Sequence, residues 1–157
     1  MGLIDFDAHN DLADPADDGP GSGTPFRQVI DEGYVDGHNA VQIGLHASVA
    51  SKEQGAYAAE RGLREITARE VWKRGVETVV DEAIAQAGDG TDAIYVSFDI
   101  DAIEAASAPG TGAHAPGGLD IKEALEAVYM LGSNPKVMAM DIVEVDPLKD
   151  VVKGMTS

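Results

Sequence analysis

The sequence predicts an α/β fold in which helices flank a mostly parallel sheet. Candidate strands alternate with candidate helices along the chain, which is typical of βαβ units with parallel strands. The strand candidate at 92–98 is a continuous apolar run, as expected for a strand covered on both faces. Acidic residues follow the predicted strands at Asp7, Asp99 and Glu144. Open α/β sheets build their sites at this carboxyl edge.

Each predicted element depends on a local signal. Apolar runs indicate the strands. Thr24 as N-cap with Pro25 at the first helical position indicates one helix start, and capping boxes beginning at Thr67 and Asp120 indicate two more. In order, we predict strand 3–6, loop 14–24, helix 25–31, strand 40–45, helix 51–61, strand 63–66, helix 67–87, strand 92–98, helix 120–132 and strand 137–143.

The composition bounds the class of protein. The chain has 157 residues, enough for one domain or part of one. With 28 acidic against 11 basic residues, the net charge of −17 argues against nucleic acid or an anionic membrane as partner. The acidic excess is typical of a halophile surface. The chain has no cysteine, no apolar run of membrane-spanning length and no signal-peptide pattern, so we predict a cytoplasmic protein.

Two acidic clusters give the strongest chemical signal. Asp7, His9 and Asp11 alternate along the chain, and Asp99 and Asp101 repeat the arrangement downstream. In an extended chain, alternate residues point to the same side, so each cluster converges. Packed carboxylates repel unless cations compensate them. Oxygen ligands with one imidazole favour Mn²⁺ or Mg²⁺, and the pattern predicts a centre of two ions. A single Asp in such a place is more often a turn or cap residue.

Other residues are candidates for substrate binding, each with a structural alternative. Glu144 is placed to bind a cationic, planar N–C–N group through two oxygens, or is a surface acid. Ser22 offers a hydroxyl, and Arg27 is a candidate for a substrate carboxylate or for a surface ion pair. The Gly- and Pro-rich loop 105–119 approaches a ligand closely or is a rigid connector. Ordinary surface or packing roles are predicted for His38, His46 and His114.

Several motifs resemble the ureohydrolase family, which comprises arginase, agmatinase and formimidoylglutamase. Residues 7–11 match its DAHxD motif, and residues 97–101 match SxDxD. The loop matches APGTG at 108–112 and PGGL at 116–119, and residues 141–145 match DIVEV. The resemblance covers essentially the whole chain, and three motifs in the family's order and spacing make it specific.

The resemblance implies an arginase-like three-layer α/β/α fold and two Mn²⁺ ions. It also implies a small amidine or guanidine substrate, whose N–C–N group Glu144 holds. Asp101 and Glu144 are the implied catalytic residues. The implied metal ligands are Asp7 and Asp99 as bridges, Asp11 on one ion, and His9 and Asp101 on the other.

The segment around Ser22 bears on the substrate. Arginases and agmatinases usually carry a His before Gly-Thr-Pro-Phe, where this chain has Ser22. Ser-Gly-Thr-Pro-Phe-Arg-Gln is similar to formimidoylglutamases, which convert N-formimidoyl-L-glutamate to L-glutamate and formamide in histidine breakdown. Arg27 would then meet a substrate carboxylate. The alternative is an agmatinase, or another guanidino-compound ureohydrolase, that releases urea.

The sequence also departs from the family's pattern. The family's GGDHS motif, whose His is a further metal ligand, is not among these residues. We therefore expect residues 1–157 to be the C-terminal part of one ureohydrolase-like domain, without its N-terminal part and last helix. The full-length protein is expected to be a homo-oligomer. A hypothesis of another class is an inactive metal-binding fragment or pseudoenzyme.

Overall fold

A computed structural model describes residues 1–47, 51–113, 115–151 and 156 of the chain. Their five strands are β1 Gly2–Phe6, β2 Ala40–Leu45, β3 Arg64–Thr67, β4 Ile94–Asp99 and β5 Val137–Val143. They form one sheet in the order β3-β2-β1-β4-β5, and every neighbouring pair is parallel. The predicted α/β class is confirmed.

Helices cover both faces of the sheet. The described α-helices are α1 Pro15–Asp18, α2 Pro25–Asp31, α3 Lys52–Arg61, α4 Ala68–Arg74, α5 Val76–Ala87 and α6 Ile121–Gly132. The capping boxes predicted at Thr67 and Asp120 both form, and a third begins at Ser51. None of the described helices has the length and apolar character needed to cross a membrane.

Strand alternation divides the core into two halves. On one face, Ile4 and Phe6 of β1 belong to a buried cluster with residues of α4, α5 and α6, and the Phe6 ring stacks on Phe98 with centroids 4.9 Å apart. On the other face, Leu3 of β1 shares a second cluster with Phe26 of α2 and residues of α3. Two helical layers therefore enclose the central strands, as an α/β/α fold requires.

A row of polar residues crosses the sheet between these apolar positions. Register pairs Glu65 of β3 with Gln42 of β2, Gln42 with Asp5 of β1, Asp5 with Ser97 of β4, and Ser97 with Asp141 of β5. We call these five residues the polar row. Polar side chains inside a parallel sheet cost free energy unless they are hydrogen-bonded, so such a row requires a reason.

The outer strand β5 exposes apolar side chains. It is the last strand of the sheet on its side, and Met138 and Ile142 have 72% and 62% of their surface exposed. On α6, Leu125 and Tyr129 are exposed to 65% and 72%. A long apolar edge strand of this kind is a surface on which other chain segments pair readily.

The structure corrects one predicted helix. The helix predicted over 67–87 is two helices, because Gly75 adopts φ 85° and ψ 140° between α4 and α5. The periodicity of the valines continues across this break, which is why the pattern concealed it. Trp72 on α4 is 53% exposed.

Other predictions need smaller changes. The loop predicted over 14–24 contains the single turn α1, and the third strand begins at Arg64 rather than at Leu63. Helix α2 starts where predicted, but Thr24 makes no side-chain capping bond. Its hydroxyl instead exchanges hydrogen bonds with the backbone of Gly21. Most of the C-terminal segment 151–157 lies outside the described residues.

Replacing Gly75 tests the helix break. Gly75→Ala should lower the free energy of unfolding by about 1–3 kcal/mol, because this backbone region is nearly restricted to glycine. Gly55→Ala is the matched control: Gly55 lies within α3 at an ordinary φ, with open space around a built Cβ. This substitution should stabilise by roughly 0.5–1 kcal/mol. Urea denaturation measures both, and a Gly75→Ala protein as stable as wild type would contradict the assignment.

Candidate metal centre

The acidic motifs meet because their strands are neighbours. Strand β1 ends at Phe6, directly before Asp7, and β4 ends with Asp99. The two strands are parallel, with Phe6 opposite Phe98, so both motifs leave the sheet at the same edge. Asp7, Asp99 and Asp101 are all buried. The prediction that these residues lie together at the carboxyl edge agrees with the structure.

The residues converge through turns rather than through extended chain. Asp7 Oδ1 accepts a 2.6 Å hydrogen bond from the amide of His9, and Asp99 Oδ1 accepts one of 2.8 Å from the amide of Asp101. Both are turns in which an Asp side chain caps the residue two positions on. Beyond the first turn, Asp11 adopts a positive φ of 48°. The expectation of an extended conformation was therefore wrong, although the side chains still converge.

Three side chains form a compact set of ligand atoms. Nδ1 of His9 lies 3.1 Å from Oδ2 of Asp101 and 3.3 Å from Oδ1 of Asp7. The ligand atoms of these three residues all lie within 4.8 Å of one another. The amide of Ala8 donates to Asp101 Oδ1 over 3.1 Å and so fixes that carboxylate. Asp11 and Asp99 line the same cleft as His9 and Asp101.

Burial makes several of these carboxylates hard to ionise. Loss of solvent raises the pKa of Asp7 to about 6, that of Asp11 to about 7 and that of Asp99 to about 9, with neighbouring negative charges adding to each shift. Burial also opposes ionisation of Asp101, but hydrogen bonds from His9 and from the Ala8 amide outweigh it and lower the Asp101 pKa.

His9 responds in the opposite direction. Hydrogen bonds to Asp101 and Asp7 raise the pKa of the imidazole to about 10. When the imidazole is protonated, the proton on Nδ1 places positive charge between two carboxylates. A metal ion would replace that proton, because metal ligands must be deprotonated.

The donor set suits a divalent cation that prefers oxygen. Carboxylates with one imidazole match Mn²⁺ and Mg²⁺ better than a closed zinc site. Beneath them, Asp5 is 1% exposed, and its Oδ1 has no hydrogen-bond partner among the described residues. Burial and the negative charge of Asp7 raise the pKa of Asp5 well above its usual value. A positive charge at this edge would therefore offset both the repulsion between the carboxylates and the free-energy cost of burying them in ionised form.

Two clefts open beside the centre. The smaller, about 260 Å³, is bounded by His9, Asp101 and residues of the loops around them. The larger, about 410 Å³, lies over Asp5, Asp7 and the apolar side chains of α2. Asp11, Ser22, Asp99 and Glu144 line both clefts.

Predicted substrate residues separate into two groups. Ser22 and Glu144 face the clefts, and Glu144 adopts φ 59° directly after β5. Arg27 lines neither cleft: its guanidinium pairs with Asp14 at 2.5 Å and with Asp31 at 3.5 Å and stacks over a tyrosine ring.

Of the histidines outside the motifs, the described His38 and His46 are not among the clustered ligand atoms. The ring nitrogens of His46 lie within hydrogen-bonding distance of the carbonyls of Gly44 and Ala115, and His38 is exposed. His114 lies outside the described residues.

Sequence reasoning missed the polar residues behind the centre. Gln42 is 1% exposed and donates to Asp5 and to the carbonyl of Asn10, and the Asn10 side chain donates to Glu65. The available signal was Gln42 itself, a polar residue within the apolar run Ala-Val-Gln-Ile-Gly-Leu. A buried amide in a parallel strand needs a partner, and here the partner belongs to the metal motif.

Comparison with known proteins agrees with this arrangement. The family model described as the Arginase family matches residues 1–157. The chain belongs to the arginase family. Members that resemble it include the formimidoylglutamase of Halalkalibacterium halodurans, 43% identical over all of this chain and 49% of that protein. The guanidinopropionase of Pseudomonas aeruginosa is 42% identical over 96% of this chain and 47% of that protein.

A solved arginase-family structure shares the fold. The crystal structure of Trypanosoma cruzi formiminoglutamase with Mn²⁺ has a TM-score of 0.90 and 29% identity, covering 99% of this chain and 52% of that one. The chain therefore spans about half the length of the curated relatives it matches. Both the family and the arginase-like fold predicted from the motifs are confirmed.

The raised carboxyl pKa values predict how the stability of the metal-free chain depends on pH. A group with a raised folded-state pKa binds more protons folded than unfolded, so stability falls as pH rises. The melting temperature in EDTA should therefore fall as the pH rises from about 5 to about 9. The lower limit lies just above the pKa of an unfolded Asp, and the upper limit is the pKa of Asp99 in the folded chain. The raised His9 pKa acts in the same direction. Thermal unfolding across this range measures the effect.

Mn²⁺ should reverse this loss, because an ion that binds only the folded state stabilises it. Asp99→Asn should show a flatter pH dependence in EDTA and a smaller gain with Mn²⁺. A melting temperature that rises with pH in EDTA, or that Mn²⁺ leaves unchanged, would contradict the electrostatic account.

Proposed function

We propose that the protein containing these residues hydrolyses a linear amidine C–N bond with the help of Mn²⁺. The preferred substrate is N-formimidoyl-L-glutamate, which with one water gives L-glutamate and formamide. The observation that carries the proposal is the cluster of Asp7, His9 and Asp101 beside a cleft that Glu144 also lines. Similarity to formimidoylglutamases, one of them solved with Mn²⁺, supports the choice of substrate and metal.

The five motif residues would hold two Mn²⁺ ions. Asp7 and Asp99 would serve both ions, as the resemblance of the two motifs to the family implies. Asp11 would serve one ion, and His9 and Asp101 the other. Bound Mn²⁺ supplies a water of lowered pKa as nucleophile and neutralises developing charge. The turns at Asp7 and Asp99 hold these carboxylates in place without the ions.

Substrate binding would fall to residues on the clefts. The Glu144 carboxylate would accept two hydrogen bonds from the planar amidinium group. Ser22 would offer its hydroxyl to the same substrate from the opposite loop. Arg27 would contact the substrate carboxylate. To do so, its guanidinium would have to leave Asp14 and bind the substrate instead. We assign Asp101 and Glu144 as catalytic residues, one as a metal ligand and one in contact with the amidinium.

A guanidino compound is the second candidate substrate. Guanidinopropionase has nearly the same identity to this chain as formimidoylglutamase, 42% against 43%. A guanidinium offers Glu144 the same planar N–C–N group, and its hydrolysis releases urea. The formimidoyl substrate is preferred in our proposal because Ser22 stands where arginases and agmatinases usually carry a His.

We also propose that residues 1–157 are the C-terminal part of one domain in a longer, homo-oligomeric protein. The exposed apolar side chains of β5 and α6 support a further covering segment, because burial of that surface would stabilise the fold. The match to about half of each relative agrees with this proposal.

A substrate panel tests the function. The complete product of the gene, loaded with Mn²⁺, should release formamide from N-formimidoyl-L-glutamate faster than it releases urea from agmatine or 3-guanidinopropionate. Glu144→Gln should lower kcat/KM by about 10- to 100-fold, since it weakens hydrogen bonds to a charged group. Glu126→Gln, the same change at an exposed position on α6, should have no effect.

Two results would contradict the proposal. Urea release with no formamide would overturn the choice of substrate in favour of a guanidino compound. Absence of any turnover, with Mn²⁺ bound, would favour the hypothesis of an inactive metal-binding protein. For the 157-residue chain assayed alone, robust turnover would exclude an inactive fragment.

A further inference from the structure

We propose that Gln42 and Glu65 fix the position of Asn10 through hydrogen bonds. These bonds would also fix the backbone conformation of the proposed metal ligands on either side, His9 and Asp11. Gln42 and Glu65 would be positioning residues that touch neither metal nor substrate. The inference rests on the proposed metal centre, and it assigns a role to polar side chains that the centre itself does not use.

The first contact fixes the backbone of Asn10. Gln42 Nε2 donates a 2.8 Å hydrogen bond to the carbonyl oxygen of Asn10 and a 2.9 Å bond to Asp5 Oδ2. Gln42 is 1% exposed in a strand whose other members are apolar or glycine. Burial of an amide in such a strand costs free energy, and the two hydrogen bonds from Nε2 offset part of it.

The second contact fixes the side chain of Asn10. Its Nδ2 donates to Glu65 Oε1 over 3.1 Å, and Asn10 is 5% exposed. Gln42 and Glu65 are register partners on β2 and β3, next to each other in the polar row. Residues on two adjacent strands therefore hydrogen-bond the backbone carbonyl and the side-chain amide of Asn10.

The consequence concerns Asp11, the next residue. The Asn10 carbonyl and the Asp11 amide belong to one planar peptide unit, so fixing the carbonyl also fixes the Asp11 N–H. Asp11 has φ 48°, a left-handed conformation that surrounding contacts must maintain in a residue other than glycine. The hydrogen bond from Gln42 holds the peptide unit in the orientation that this conformation requires.

The start of the same segment is held differently. The Asp7 amide donates to the Ile43 carbonyl over 3.1 Å, and the Ala8 carbonyl accepts from His46 and Ala47. These are backbone contacts that tolerate substitution. The Asn10 contacts come from side chains, so substitution can remove them one at a time.

Gln42→Met tests the proposal, because it keeps the approximate size of the side chain and removes its donor. We expect Mn²⁺ affinity to fall by about 10- to 100-fold, the usual effect of losing a group that orients a metal ligand. The signal of free Mn²⁺ in electron paramagnetic resonance measures the affinity. Val41→Ala is the matched control, since Val41 is fully buried beside Gln42 but belongs to the apolar cluster on the other face. It should lower stability and leave affinity unchanged.

A paired substitution separates the two bonds that Gln42 makes. In Gln42→Glu with Asp5→Asn, the amide at position 5 donates to the carboxylate at 42, which restores that pair but leaves the Asn10 carbonyl without its donor. We expect stability to recover relative to Gln42→Glu alone while Mn²⁺ affinity stays low. Recovery of affinity together with stability would overturn the proposal, because the Asp5 contact would then suffice.

Hydrogen exchange in EDTA gives a readout that needs no metal. Gln42→Met should increase amide exchange in residues 8–12 beyond any increase in the rest of the sheet, whereas Val41→Ala should not. Equal exchange in both variants would overturn the proposal. If wild-type chain bound no Mn²⁺, the metal centre would fail as proposed, and the exchange comparison would still decide whether Gln42 holds this segment.

Discussion

Repulsion among buried carboxylates is the constraint on which the rest of the structure depends. Asp5, Asp7, Asp99 and Asp101 are each at most 5% exposed at one edge of the sheet. Burial and mutual repulsion raise the pKa of the first three, and hydrogen bonds to Asp101 and Asp7 raise the pKa of His9. Binding of a cation at this edge would offset the repulsion, and an ion that binds only the folded state stabilises it.

The parallel sheet supplies the geometry that this charge requires. Neighbouring strands end at the same edge, so motifs far apart in sequence become adjacent. Each motif then turns sharply, with the first Asp capping the backbone amide two positions on, and the side chain of that second residue lies at the centre. Behind this layer, Gln42 on β2 and Glu65 on β3 hydrogen-bond Asn10 of the DAHxD segment. The centre is therefore part of the sheet rather than an addition to its surface.

The sequence indicates the fold and the candidate ligand residues because both depend on local patterns. Apolar runs and capping boxes predict elements from a few residues, and the DAHxD and SxDxD motifs contain their own turns. It did not reveal the break at Gly75, since helical periodicity continues through it. It also left open which partner Arg27 takes, because Asp14 lies 13 positions away along the chain and becomes its neighbour only through folding. Gln42 and Asn10 are 32 positions apart, so their contact depends on strand order.

Location of the metal tests the central claim most directly. Crystals of the chain grown with Mn²⁺ should show anomalous scattering at the manganese absorption edge between Asp7, His9, Asp99 and Asp101. The account predicts two peaks roughly 3.5–4 Å apart, with Asp7 and Asp99 bonded to both. A single peak would contradict the two-ion arrangement. Absence of any peak within bonding distance of these four side chains would contradict the metal centre itself.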